Sequence, residues 1–122
     1  MPTKKILVID DDMAIRGFFV DFFEDRNFNV DAAADGVEGV EKFKQGTYDL
    51  VLCDMLMPRM IGIEVLKRIR EIKSDQRVIM MTGVKEQSMV DKAKALGCHL
   101  YLTKPVQLSE LEARVTECFP ET

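Results

Sequence analysis

Short apolar runs alternate with longer stretches of helical periodicity along the chain. The runs are aliphatic and brief, as in strands that are buried on both faces of a sheet, and they predict strands at 5–9, 28–33, 49–53, 77–81 and 100–102. Apolar residues at helical spacing predict helices at 13–26, 37–44, 64–72, 87–96 and 109–119. Five strands that alternate with five helices are typical of an α/β fold, a parallel sheet covered on both faces.

The first helix has the clearest pattern. Asp12 precedes it as a predicted N-cap, and its apolar positions are Ile15, Phe18, Phe19, Phe22 and Phe23. We expect these phenylalanines in the core, with exposure for one of them. The alternative is that Ile15, Phe18 and Phe22 form a docking face for a helix of a partner protein.

Further along the chain, Gly97 is a predicted C-cap for the fourth helix.

Polar residues stand where four of the predicted strands end. Asp10 and Asp11 follow the first strand, Asp54 the third, Thr82 the fourth and Lys104 the fifth. The carboxyl ends of parallel strands share one edge of a sheet, where open α/β sheets bind their ligands. If the first and third strands are neighbours, as in the strand order 2-1-3-4-5, the three carboxylates converge.

Carboxylates that converge in this way require a cation or a proton. At an effective dielectric constant of about 20, two like charges about 4 Å apart repel by about 4 kcal/mol. Oxygen ligands without histidine or cysteine favour Mg²⁺ or Mn²⁺. With Lys104 and the hydroxyl of Thr82 nearby, the set suits a phosphoryl group carried on a carboxylate. A lone Asp after a strand is usually a cap or turn residue, which is our interpretation of Asp12, but coincidence does not explain five such positions.

Four motifs occur in order at these strand ends. They are Ile6-Leu7-Val8-Ile9-Asp10-Asp11-Asp12, then Asp54-Met55-Leu56-Met57-Pro58 with Gly62, then Met81-Thr82-Gly83, and finally Tyr101-Leu102-Thr103-Lys104-Pro105. On these motifs the chain resembles the receiver domain of two-component response regulators. The resemblance covers essentially the whole chain and implies one receiver domain, 1–122, with a doubly wound, flavodoxin-like sheet.

The resemblance implies a metal site and a phosphoacceptor. Asp54 would accept a phosphoryl group from a phosphohistidine of a sensor histidine kinase or a histidine phosphotransfer protein. Asp11, Asp54 and the backbone carbonyl of Leu56 would ligate Mg²⁺ (or Mn²⁺) directly, and Asp10 would act mostly through a bound water. The chain would then be a phosphoacceptor that promotes its own phosphorylation and dephosphorylation, not a free-standing turnover enzyme.

The resemblance also implies a switch. Lys104 would pair with the Asp54 carboxylate and then with the phosphoryl oxygens, and Thr82 would donate its hydroxyl to the same group. Tyr101 would turn between outward and inward positions as Thr82 moves, and the peptide bond from Lys104 to Pro105 would be cis. The surface of the fourth helix, last strand and fifth helix would bind an unknown downstream target, and the sequence leaves open a transient dimer through it.

Composition limits the kinds of partner and the cellular compartment that the chain would suit. Seventeen Lys and Arg against 21 Asp and Glu make a net charge of −4, which disfavours nucleic acid as a direct partner. No apolar run is long enough for a membrane span, and three scattered cysteines without a CxxC motif fit a reducing cytoplasm. The resemblance implies that the phosphodonor histidine belongs to another protein, and the single histidine of this chain, His99, is interpreted as a cap of the loop before the last strand.

The same fold is compatible with other functions. A phosphorylation-independent interaction module is one alternative, and the N-terminal receiver of a longer transcription regulator is another. An aspartate-based phosphatase would need an acid two residues after Asp54, where the chain has Leu56. Ile61 stands where the family often has Asp before Gly62, a departure that bears on the partner that docks.

Overall fold

The protein is described by a computed structural model that covers residues 3–57, 59–83, 87–98 and 100–119. Its strands are β1 (Lys5–Ile9), β2 (Asn29–Ala33), β3 (Leu50–Asp54), β4 (Val78–Thr82) and β5 (Leu100–Thr103). Its helices are α1 (Met13–Glu24), α2 (Gly36–Gln45), α3 (Gly62–Ile72), α4 (Gln87–Ala95) and α5 (Leu108–Cys118). The predicted strands and helices are confirmed, with boundaries that differ by one or two residues. His99 and Pro58 lie outside the described residues.

All five strands form one parallel sheet in the order β2-β1-β3-β4-β5. This order confirms the expected neighbourhood of the first and third strands. The chain crosses from β2 to β3 past β1, so the direction of winding reverses there and a crevice opens at the carboxyl ends of β1 and β3. Every residue of β3 and β4 is buried, as their continuous apolar runs predict.

Two hydrophobic cores cover the two faces of the sheet. Helices α2, α3 and α4 pack on one face, where Cys53 is buried among apolar side chains as strand alternation predicts. Helices α1 and α5 cover the other face, where Phe19 and Phe23 are almost fully buried. Phe18 is 45% exposed and is the phenylalanine of α1 that the core does not take up.

The ends of α1 show how local chemistry sets an element. The Asp12 carboxylate accepts hydrogen bonds from the backbone N–H groups of Ala14 and Ile15, which confirms the predicted N-cap. The helix ends at Glu24 instead of Arg26, because Asn27 adopts a left-handed backbone (φ 68°) and the N–H of Phe28 donates back to the Phe23 carbonyl. The sequence argument missed this asparagine cap.

Gly97 ends α4 in the same manner, with a φ of 79°. Its N–H donates to the Lys94 carbonyl, and the N–H of Cys98 donates to that of Ala93. The predicted C-cap is therefore confirmed. Among the described residues, no helix combines the length and the apolarity that crossing a bilayer requires.

Candidate functional site

Four neighbouring strands deliver the polar residues to one crevice. Asp10 directly follows β1, Asp54 ends β3, Thr82 ends β4 and Lys104 directly follows β5. The order of the sheet places these strands side by side. The N–H of Lys104 donates to the Thr82 carbonyl (2.7 Å), a bond that fixes where Lys104 leaves the sheet.

Three carboxylates form the centre of this crevice. One oxygen from each of Asp10, Asp11 and Asp54 can be chosen so that all three lie within 4.8 Å of one another. Asp10 is fully buried and Asp54 is 5% exposed, whereas Asp11 is exposed. The cluster therefore opens to solvent on the side of Asp11.

Lys104 lies against two of these carboxylates. Its ammonium Nζ is 3.0 Å from Asp54 Oδ1 and 3.6 Å from Asp10 Oδ2. Burial raises the pKa of Asp54 to about 6, even though the hydrogen bond and the charge of Lys104 lower it. Burial also disfavours the charged form of Lys104, but its contacts with Asp54 and Asp10 outweigh this effect and its pKa is raised. The ammonium is thus held at the Asp54 carboxylate.

Asp10 makes hydrogen bonds through three of its four polar atoms. Its N–H donates to the Ala33 carbonyl (3.2 Å), its Oδ1 accepts from the N–H of Asp12 (2.9 Å), and its carbonyl accepts from Arg16 Nη1 (2.8 Å). Burial raises the pKa of Asp10, and the N–H of Asp12 lowers it. Its Oδ2 is buried without a hydrogen-bond partner in the part of the chain that the structure describes.

That buried oxygen tests whether a metal suits the site. The Lys104 ammonium, 3.6 Å from this oxygen, offsets part of its charge without donating a hydrogen bond, so a buried acceptor remains that a metal ion or an ordered water would satisfy. One oxygen from each of Asp10, Asp11 and Asp54 within 4.8 Å of the others, with one side open to solvent, matches the preference of Mg²⁺ for a few carboxylates and several waters. The residues therefore fit a hydrated divalent cation.

The remaining predicted residues lie at the end of β4, on β5 and in the loop after β3. Thr82 is 2% exposed, and its hydroxyl donates to the Gly83 carbonyl (3.2 Å). The Leu56 side chain is exposed in the loop after β3. Tyr101 is exposed on β5, where the Lys94 ammonium lies 4.7 Å from its ring centroid. The peptide bond from Lys104 to Pro105 is cis.

Sequence reasoning missed two contacts near the site. Arg16 reaches back from α1 to the Asp10 carbonyl, and Arg59, with a φ of 73°, pairs with Asp35 at 3.0 Å. A signal for the first contact existed, because helical side chains point towards the N-terminus of their helix and Arg16 lies one turn after the Asp12 cap. The pairing of Arg59 with Asp35 joins two loops and has no local signal.

Comparisons with known proteins agree on a single family. The sequence model described as response regulator receiver domain matches residues 6–116. The chain is 35% identical over 120 residues to sporulation initiation phosphotransferase F of Bacillus subtilis (strain 168), over 98% of this chain and 97% of that protein. It is 37% identical over 121 residues to chemotaxis protein CheY of the same strain, over 98% of each.

The fold agrees with solved structures as well. A CheY-like response regulator receiver domain protein from Methanospirillum hungatei JF-1 matches 98% of this chain and 96% of its own, with a TM-score of 0.93 and 29% identity. Other relatives are longer, and the chain spans about half the length of several that are transcriptional regulatory proteins.

Proposed function

The chain belongs to the family of response regulator receiver domains, and from that membership we propose that residues 1–122 are one receiver domain whose Asp54 is the phosphoacceptor. The donor is a phosphohistidine on a sensor histidine kinase or a histidine phosphotransfer protein. One observation carries the proposal: the nearly buried Asp54 carboxylate lies 3.0 Å from the Lys104 ammonium and within 4.8 Å of two further carboxylates.

The transfer step follows from these contacts. An Asp54 carboxylate oxygen attacks the phosphorus, the bond from phosphorus to the donor imidazole nitrogen breaks, and the imidazole keeps that electron pair. Lys104 stays beside the carboxylate, where its charge offsets the negative charge of the transferred oxygens. The hydroxyl of Thr82 rotates from the Gly83 carbonyl towards the phosphoryl group.

Asp10, Asp11, Asp54 and the backbone carbonyl of Leu56 would hold the cation, Mg²⁺ or Mn²⁺. The cation would supply charge neutralisation for the carboxylates and the phosphoryl oxygens. Asp11 and Asp54 serve as direct ligands, and Asp10 acts mostly through water. With these groups the chain promotes its own phosphorylation and dephosphorylation, as a phosphoacceptor and not as a free-standing turnover enzyme.

Phosphorylation changes the surface of α4, β5 and α5, to which partner proteins bind. A phosphoryl group carries about −1.5 to −2 charges, and it draws the hydroxyl of Thr82 towards the site. Tyr101, exposed in the structure, turns inward into the space that Thr82 leaves. The altered surface of α4, β5 and α5 then binds a downstream protein target, and transient dimerisation would use the same surface.

A groove beside the site suits the phosphodonor. Ile15, Phe18, Pro105 and Val106 line an apolar groove of about 450 Å³ that also contains Lys104. A helix of the donor protein in this groove would bring its histidine next to Asp54. The exposed ring of Phe18 supports this docking face, whereas Phe22, also predicted for it, is buried in the core. We place the exchange in the cytoplasm, where the three cysteines, none of them in a disulfide, remain reduced.

The test is phosphorylation by a small donor. Incubation with acetyl phosphate and Mg²⁺ should add about 80 Da, one phosphoryl group, to the intact mass of the wild-type chain. The gain should require Mg²⁺ and vanish in Asp54→Asn. Asp75→Asn, a change of an exposed aspartate outside the site, is the matched control and should behave as wild type. No gain under any condition would favour the phosphorylation-independent interaction module.

A further inference from the structure

Arg16 connects helix α1 with the backbone of the acidic cluster. Its guanidinium Nη1 donates to the Asp10 carbonyl at 2.8 Å, and its own N–H donates to the Asp12 carbonyl at 2.8 Å. The residue therefore spans the loop between β1 and α1 with both its side chain and its backbone.

The carbonyl that Arg16 holds belongs to the peptide plane between Asp10 and Asp11. A hydrogen bond to that carbonyl limits rotation of the plane, and with it ψ of Asp10 and φ of Asp11, because a peptide unit moves as one rigid plane. These two dihedral angles set the direction in which the Asp11 side chain leaves the backbone after β1. Asp10 is fixed on its other side by Ala33, and Asp12 is fixed as the N-cap of α1. The Asp10 carbonyl is thus the point at which a side chain can set the orientation of Asp11.

Asp11 needs such a constraint more than its neighbours do. Its side chain is exposed, whereas Asp10 is fully buried and Asp54 is 5% exposed. Packing holds the buried carboxylates in place, but it contributes little to an exposed one. A ligand with several orientations binds a cation more weakly, since binding must first select one of them.

We propose that Arg16 is a positioning residue of the metal site, which fixes the peptide between Asp10 and Asp11 and so directs the Asp11 carboxylate towards the cation. This inference rests on the proposed metal-dependent function. It predicts that loss of Arg16 weakens cation binding although a positive charge near the site has been removed.

The direction of the change in Mg²⁺ affinity distinguishes a positioning role of Arg16 from a purely electrostatic one. A guanidinium is always charged and repels a cation, so its removal would strengthen Mg²⁺ binding if charge alone mattered. If the hydrogen bond to the Asp10 carbonyl matters more, the same removal weakens binding. Loss of a group that holds a metal ligand in place typically costs about 10- to 100-fold in metal affinity.

The experiment is a calorimetric titration with Mg²⁺ alone on the intact chain. Arg16→Met should raise the Mg²⁺ dissociation constant about tenfold, the lower end of that range. Arg16→Lys, which keeps the charge and a donor of similar reach, should recover part of the affinity. Arg26→Met is the matched control, since Arg26 lies just after the end of α1 and donates to the Phe22 carbonyl of that helix instead of to the acidic cluster.

A second readout separates positioning from a general loss of structure. With acetyl phosphate, Arg16→Met should need about tenfold more Mg²⁺ for half-maximal phosphorylation, yet reach the wild-type rate at saturating Mg²⁺. Unchanged or tighter Mg²⁺ binding by Arg16→Met, or an equal loss in Arg26→Met, would overturn the inference. Absence of Mg²⁺ binding by the wild-type chain would instead contradict the proposed metal site itself.

Discussion

Three consecutive aspartates have three different environments in this chain. Asp10 is fully buried and bonded to the backbone around it, Asp11 is exposed within the carboxylate cluster, and Asp12 caps α1. Their chemistry is the same, so burial and hydrogen-bond partners account for the difference. Burial has its clearest consequence at Asp54, whose pKa rises from the ordinary 3.8 to about 6.

This shift predicts a pH dependence of stability. Between pH 4 and 6 the folded chain holds a proton on Asp54 that the unfolded chain has lost, so the stabilisation is full below about pH 4 and is lost as the pH rises through 6. The free energy of unfolding of Asp54→Asn should therefore increase relative to wild type over this interval, by about 1 to 3 kcal/mol. Urea unfolding in the absence of metal, from pH 4 to 7.5, measures the difference.

Addition of Mg²⁺ at pH 7 provides the complementary observation. It should stabilise the wild type, whose Asp54 is then ionised, and have a smaller effect on Asp54→Asn. The same titration with Asp75→Asn should match the wild type. Parallel stability curves for wild type and Asp54→Asn across the pH range would contradict the raised pKa.

The helices begin in two different ways. Aspartates cap α1 and α2, and the Asp35 carboxylate accepts from the N–H of Glu38. In α3 and α5 the cap positions are Ile61 and Gln107, and neither makes a side-chain cap hydrogen bond in the described part of the chain. Ile61 nevertheless has the extended backbone of a cap residue (φ −70°, ψ 158°), so a hydroxyl could be accommodated there.

A cap at Ile61 should therefore stabilise the fold. In Ile61→Ser the serine hydroxyl would accept a hydrogen bond from an open N–H of the first turn of α3, worth about 1 kcal/mol. The Ile61 side chain is 41% exposed, so little buried apolar area is lost. Thermal unfolding would show a higher midpoint for Ile61→Ser than for wild type. Ile61→Ala is the control without a cap, and an equal midpoint in the two variants would argue against capping.

At the scale of the whole molecule, the fold places an apolar groove next to the carboxylate cluster. The groove beside α1 and the carboxylate cluster meet at Lys104, which lines the groove and contacts Asp54. Phe18 extends from α1 beside the groove, while Phe19 and Phe23 of the same helix fill the core. The α1 residues that line the groove thus include both an exposed ring, Phe18, and a core ring, Phe19.

Substitution of Phe18 should affect phosphotransfer from a protein donor but not phosphorylation by a small-molecule donor. Phe18→Ala removes an exposed ring of the docking groove and should slow phosphotransfer from a phosphorylated histidine phosphotransfer protein at least severalfold, while phosphorylation by acetyl phosphate stays unchanged. Radiolabel transfer and intact mass measure the two reactions. Val37→Ala, a change of an exposed apolar residue on α2, is the control. An equal loss with both donors would point to the site and not to docking.

Much of the fold could be predicted because it depends on local patterns. Continuous apolar runs identify strands buried on both faces, and the spacing of Ile15 and Phe19 identifies a helix, since both patterns reflect the geometry of a single element. The turn at Asn27 and the pairing of Arg59 with Asp35 could not be predicted in this way. The first depends on a backbone conformation that asparagine adopts only in some contexts, and the second joins residues from separate loops.

The sequence by itself determined which residue types stand at the strand ends, and hence that carboxylates, a hydroxyl and an ammonium would share one edge of the sheet. Only the tertiary structure decided that the side chains of Asp10 and Asp54 are buried while that of Asp11 is exposed to solvent. It also decided that Arg16 donates a hydrogen bond to the Asp10 carbonyl. The reason is physical. Pattern and spacing act along the chain, whereas burial, pKa and the geometry of a metal site depend on elements distant in sequence that pack together.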